Sequence, residues 1–169
     1  YDDIMNQQRK YTYGIRRALL LGNDTEVDTF LEEITAGDDE AKKTIEKKKQ
    51  DLGADNFYGA ARRASLQVID MHWMEHLEAM DYLRSSVNLR AYGQRDPLVE
   101  YKKEGLQLFQ SMKENIYGQV LGLIANLNPE AVSVSNAPAR TIPKTLNLSG
   151  GGVDGGSNES SPARVTPGA

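Results

Sequence analysis

The sequence predicts an all-α fold: a helical scaffold with a long antiparallel two-helix hairpin and a disordered C-terminal tail. Three observations predict it. Apolar residues recur in steps of three and four at Leu66, Ile69, Trp73, Leu77, Met80, Leu83 and Val87, which marks one face of a helix. A second stripe runs through Leu98, Leu106, Phe109, Met112, Ile116, Val120, Leu123 and Leu127. The stretch between them, residues 88–97, is so short that the two helices must run antiparallel, stripe against stripe.

Residues 1–21 read as the end of a scaffold helix. Ile4, Tyr11, Ile15, Ala18 and Leu19 form a rough stripe, with the polar run Asn6-Gln7-Gln8-Arg9-Lys10 between them. Gly22-Asn23 is a stop signal. Residues 22–56 form a short charged helical segment. Asn23 or Asp24 caps a helix carrying Val27, Phe30, Leu31 and Ile34, which ends at Gly37. Residues 38–52 are polar nearly all round, with Asp38, Asp39 and Glu40 first and Lys47, Lys48 and Lys49 last. That order complements a helix dipole and marks a solvated helix face rather than a nucleic-acid patch.

Gly53 breaks this segment, and Asp55 or Asn56 caps the next helix, which begins near Phe57. From there to Asn88 it would be about 45 Å long at 1.5 Å per residue. The hairpin proper covers residues 57–127. Asp96 caps its second helix and Pro97 suits the first helical position. Two amphipathic helices alone bury little surface for the backbone they order, so the hairpin should dock on residues 1–21 or on further domains. Residues 128–169 hold five of the six prolines, two glycine clusters and no aromatic. Such a composition cannot bury enough apolar surface to order itself.

The 169 residues include 20 basic and 24 acidic side chains, a net charge of −4 that supplies no global drive towards nucleic acid. With no cysteine there is no disulfide framework and no thiolate metal site, which fits a reducing compartment. The longest strongly apolar run, Ala18-Leu19-Leu20-Leu21, is far too short to span a bilayer. No signal peptide is visible. The chain opens at Tyr1 inside a helical pattern, and reads as a fragment or processed piece.

One catalytic-looking pattern is present. His72-Trp73-Met74-Glu75-His76 matches the H-x-x-E-H signature of inverted zincins. Two histidines four apart on a helix could share a zinc ion, with Glu75 as general base. The chain has two histidines in all, so a third ligand would have to be Asp70, Glu100 or Glu104. The bland alternative leaves His72 and His76 as partly exposed residues flanking the Trp73/Leu77 stripe. Glu100 and Glu104 beside Lys102 and Lys103 read as surface pairs. No phosphate-binding glycine loop occurs. At the hairpin tip Arg84, Arg90 and Arg95 surround Tyr92, with no acid between Asp81 and Asp96. An aromatic among arginines on a loop has the composition of a contact patch. The alternative folds Tyr92 back onto the hairpin end.

Two separated motifs then carry a resemblance. Trp73-Met74-Glu75-His76-Leu77-Glu78-Ala79-Met80-Asp81-Tyr82-Leu83-Arg84, followed by Leu89-Arg90-Ala91-Tyr92-Gly93-Gln94-Arg95-Asp96-Pro97-Leu98-Val99-Glu100-Tyr101-Lys102, closely resembles the two-helix finger of the SecA family of preprotein translocase motors. Tyr1-Asp2-Asp3-Ile4-Met5-Asn6-Gln7-Gln8-Arg9 is similar to part of that family's long scaffold helix. The resemblance implies a scaffold helix carrying the finger, whose loop, Tyr92 with Arg90, Gln94 and Arg95, touches the translocating chain. It implies the SecY channel complex, unfolded preproteins and the missing N-terminal ATPase domains as partners. A homodimer and contact with an anionic membrane surface are compatible with it; nucleic acid is not implied. ATP and magnesium belong to the full-length parent, and no cofactor, catalytic residue or metal is expected in this chain. The implied location is cytoplasmic, at the inner face of the plasma membrane. Three departures stand out. The nucleotide-binding domains are absent, residues 22–56 replace a longer wing, and the tail lacks the family's frequent Cys/His zinc-binding residues. The rival reading is a self-standing helical interaction module with no motor.

Overall fold

Residues 1–90 and 96–129 are described by the structure, a computed structural model, and every regular element among them is an α-helix. The order is α1 (Asp2–Leu21), α2 (Asp24–Ile34), α3 (Asp39–Leu52), α4 (Ala54–Arg90) and α5 (Pro97–Ala125). Residues 130–169, most of the segment read as a disordered tail, lie outside the described residues.

Local chemistry sets the boundaries. The Asn23 side chain accepts from the Thr25 N–H at 3.1 Å while Glu26 accepts from the Asn23 N–H at 3.0 Å, a reciprocal cap that starts α2. Asp38 accepts from the Ala41 N–H at 2.9 Å and starts α3. Gly53 has φ +77°, a left-handed turn that glycine adopts without a steric penalty. That turn lets α4 begin at once, three residues earlier than expected. Asp55 and Asn56 are therefore inside the first turn rather than capping it, and the Asn56 amide donates back to Leu52 O at 3.2 Å. With 37 residues α4 is about 55 Å long.

The helices pack as a bundle. Tyr1 Oη donates to Asn88 Oδ1 at 3.1 Å, Gln8 meets His76, Arg16 grips Asp70 through bonds of 2.7 and 3.3 Å, and Arg62 reaches the Leu19 carbonyl. Ascending numbers on α1 thus meet descending numbers on α4. So α1 lies antiparallel to α4 along nearly the whole hairpin, the docking expected for residues 1–21. Near the base, α2 joins α1 and α5 where Tyr11 and Tyr117 both donate to Glu33 Oε1, at 2.7 and 2.6 Å. Helix α3 is tied down by Lys49 beside Asp28 and by Lys48, which donates to Leu127 O at 2.9 Å.

Burial corrects both outer stripes. On α1 the buried residues are Gln8, Thr12 and Leu19, while Ala18 is exposed. Two polar residues face inward because each is bonded there, Gln8 to His76 at 2.9 Å and the Thr12 hydroxyl to the Gln8 carbonyl at 3.0 Å. On α5 the inward line is Tyr101, Gly105, Met112, Ile116, Val120 and Ile124, while Leu98, Leu106 and Leu123 are exposed. The physical reason is Gly105. A Cβ there would stand 2.8 Å from the Met80 methyl, so the two limbs approach at a residue that an apolar count skips.

Candidate functional site

The two limbs of the hairpin are joined at their distal end. Met80, Leu83 and Val87 of α4 close on Tyr101 of α5, with Tyr1, Ile4 and Met5 of α1 packed against them. Asp96 accepts from the Leu98 N–H at 2.9 Å and Pro97 opens α5, as expected. Helix α4 ends at Arg90. Tyr92, Gln94 and Arg95 lie outside the described residues, as does the side chain of Arg90.

What the structure adds is the surface beside that loop. Leu89 on α4 and Leu98 and Val99 on α5 are each 50–73% exposed, Lys102 and Lys103 are exposed one turn further along α5, and Tyr82, two turns back on α4, is 77% exposed. Sequence reasoning missed this patch. Its signal was available: Tyr82 and Leu89 fall seven apart and out of phase with the buried stripe. Arg84, counted among the tip arginines, is engaged elsewhere, its guanidinium 5.4 Å from the Tyr1 ring centre.

Further down, the two histidines have separate jobs. His72 bridges Glu75 at 2.9 Å and Gln119 of α5 at 2.7 Å. His76 is buried rather than partly exposed, and its Nε2 lies 2.9 Å from Gln8 Oε1 of α1. One ring faces α5 and the other α1, and Asp70 is held by Arg16, so these residues do not converge on a common ion. Among the described residues no group of three or more histidines and carboxylates is placed to hold a metal.

The hydrogen bonds around His76 decide its tautomer. The Gly105 carbonyl can only accept, and Gln8 Nε2 donates to it at 3.1 Å. Gln8 Oε1 must then face His76, so His76 carries its proton on Nε2. Burial among Trp73 and Phe109, whose ring centres lie 5.7 and 5.6 Å away, pushes its pKa below the ordinary histidine value. Its folded pKa is depressed, so the unfolded chain binds the proton first as pH falls. The neutral form's stabilisation is complete above about pH 6.5, the unfolded value, and is lost as pH drops through the folded value. Thermal melts between pH 7.5 and 5 should show a falling Tm, and His76→Phe should remove part of that slope. An unchanged slope in the variant would overturn the assignment.

Near the base, burial raises the Glu33 pKa, but the two tyrosine hydroxyls and Lys113 outweigh it and hold the carboxylate below its usual range. Those bonds hold Glu33 as a structural anion between α1, α2 and α5. Across the described residues no helix is long and apolar enough to cross a membrane.

With this geometry in view, comparison with known families decides the kinship. The family described as the SecA wing and scaffold domain matches residues 31–128, which contain α3, α4 and α5. The chain belongs to the SecA family. Protein translocase subunit SecA of Pelotomaculum thermopropionicum is 33% identical over 181 residues, covering 76% of this chain and 20% of that protein. SecA of Heliobacterium modesticaldum is 31% identical with 76% and 21% covered, and that of Leifsonia xyli subsp. xyli 31% identical with 82% and 20% covered. The chain therefore spans about a fifth of the length of the SecA proteins it matches. In the first comparison the alignment runs over 181 residues but uses about 128 of this chain's 169, so roughly 50 aligned positions have no counterpart here. No solved structure matches.

Proposed function

We propose that this chain is the scaffold and two-helix finger of a SecA-type ATP-driven protein translocase, and that its loop contacts the preprotein at the mouth of the SecY channel. The observation that supports it most is mechanical. The hairpin is braced along its length by α1, from Tyr1 at Asn88 down to Leu19 at Arg62, so a push on α1 is delivered at the loop end. Three packed helices bend far less than two. The exposed Leu89, Leu98 and Val99, with Lys102 and Lys103 one turn along α5, would extend the contact made by Tyr92, Arg90, Gln94 and Arg95. An aromatic face can touch any unfolded sequence, because its contact needs no particular partner group.

In this reading the chemistry lies elsewhere. ATP and magnesium are held by the parent's nucleotide-binding domains, and this chain supplies geometry. The chain lacks roughly 50 of the aligned positions; on this reading they belong to the wing, for which α2 and α3 are a short substitute. The SecY complex is the membrane partner, at the inner face of the plasma membrane, and the exposed lysines near the loop suit anionic headgroups.

The test uses the full-length motor. Tyr92→Ala should reduce preprotein translocation by about tenfold or more while ATP turnover stays within about twofold, since only work transfer is lost. Equal losses in both would sink the reading. The rival, a self-standing interaction module, predicts no effect on translocation at all.

A further inference from the structure

Halfway along the bundle the apolar core is interrupted. On the base side lies the large cluster that reaches Trp73 and Met112. On the loop side lies the small cluster of Met80, Leu83, Val87 and Tyr101. Between them stand Gln8 from α1, His76 from α4 and the carbonyl of Gly105 from α5. Gln8 and His76 are both more than nine-tenths buried. Each helix contributes one group, and Gln8 joins α1 to both limbs of the hairpin at once.

We propose that this triplet is a register pin: it fixes the one axial position at which α1 seats on the hairpin, so displacement of α1 reaches the loop end through Gln8. The register half stands on geometry; the transmission half rests on the finger reading above.

Apolar contacts do not choose a register by themselves, because they are non-directional and proportional to area. Sliding α1 by one turn, about 5.4 Å, would bring Ile4 or Thr12 opposite His76. Ile4 has no polar atom. The Thr12 hydroxyl is too short to span from His76 to Gly105, and it travels with its own bond to the Gln8 carbonyl. Either slip drives the Gln8 amide into one of the apolar clusters, and the slip that brings up Ile4 also strands the His76 N–H. Buried polar groups left without partners are penalised far more than a made bond is rewarded. A single buried polar residue setting helix register is the best-attested use of such groups. Arg62 at the Leu19 carbonyl also anchors the C-terminal end of α1, and Tyr11 lies 3.3 Å from Tyr117 of α5; the remaining polar links are weaker guides. The Arg16–Asp70 pair is nearly half exposed, and Tyr1–Asn88 is exposed.

The chain has no cysteine, so labels can be placed cleanly. Cysteines at Arg17 on α1 and Gln107 on α5, both exposed, are offset along the axis, so a slip changes their separation. Nitroxide pairs at these sites in the 169-residue chain should give one narrow distance by pulsed EPR. Gln8→Met keeps length and apolar fit but removes both bonds. It should retain helical circular dichroism and add a second distance, displaced by several ångström, at about ten times its wild-type population. His76→Phe is the independent second variant and should do the same. A single unshifted distance in both variants, or loss of helicity in both, would overturn the pin. The functional arm is the ratio of translocation to ATP hydrolysed in the full-length motor carrying Gln8→Met. A shifted register with an unchanged ratio keeps the pin and removes the finger reading. A lowered ratio with an unshifted register removes the pin alone.

Discussion

Tyr101→Ala is expected to lower stability by about 3–4 kcal/mol, while Tyr82→Ala changes it by less than about 0.5 kcal/mol. Both tyrosines lie on the hairpin, yet Tyr101 is 1% exposed and Tyr82 is 77% exposed. Tyr101 sits among Met80, Leu83 and Val87, and its ring meets that of Tyr1 edge-on at 4.6 Å. Truncation would leave a cavity where few other buried residues remain to close over it, because this cluster is small. The fall in Tm should be roughly 10 °C or more. Hydrogen exchange should rise first in the loop-side half of α4 and α5, where the variant removes support, and only later at the base. Equal Tm losses for the two variants would mean that the burial pattern of the hairpin is wrong.

The second large effect is expected at the other end. Arg62→Met should cost about 2–3 kcal/mol, because a guanidinium that makes several bonds is removed while its stem is kept. Arg62 leaves α4 and donates to the carbonyls of Leu19 and of Gly22, the latter at 2.8 Å, and lies 3.5 Å from the Asp24 carboxylate. The carbonyls at the end of a helix have no intrahelical partner, and α1 has no basic residue of its own in its last turn. One side chain thus terminates α1 and steers the chain into α2. Lysine should rescue only in part, because Arg62 serves both carbonyls through Nη1 while Nη2 faces the Asp24 carboxylate, and a single ammonium cannot hold both positions. Asp24→Asn is the control: the carboxylate is half exposed, so its loss should cost under about 1 kcal/mol. Melts of the three variants decide it. If Arg62→Lys matches the wild type, the bridge is not what holds that corner.

Much of this architecture is legible in the residues. Local rules place the helices: alternating threes and fours for α4, Asn23 with Glu26 for α2, Asp96 with Pro97 for α5. These act over a few residues and need no knowledge of the rest of the chain. Tyr92, Arg90, Gln94 and Arg95 stand out in the sequence as a loop motif, whereas the exposure of Tyr82 and Leu98 does not. Leu98 was read as core because it is apolar and near the stripe. In the folded chain Tyr101 and Gly105 take the inward phase, and Leu98 is turned outward.

The largest gap lies in the polar interior. Gln8 reads as part of a polar run and His76 as half of a zinc pair. Each is buried because of a partner 97 or 68 residues away, and nothing near either residue announces that. Burying a polar group is unfavourable until its hydrogen bonds are met, and only the assembled bundle can meet them. The sequence by itself determined that the chain is helical, where α2 and α5 start, that a hairpin forms and which family it belongs to. Tertiary structure alone decided that α1 braces the hairpin, which face of α5 turns inward, and where the core turns polar. Helix choice follows from short-range periodicity and capping, whereas register and polar burial follow from groups that meet only after the chain has folded.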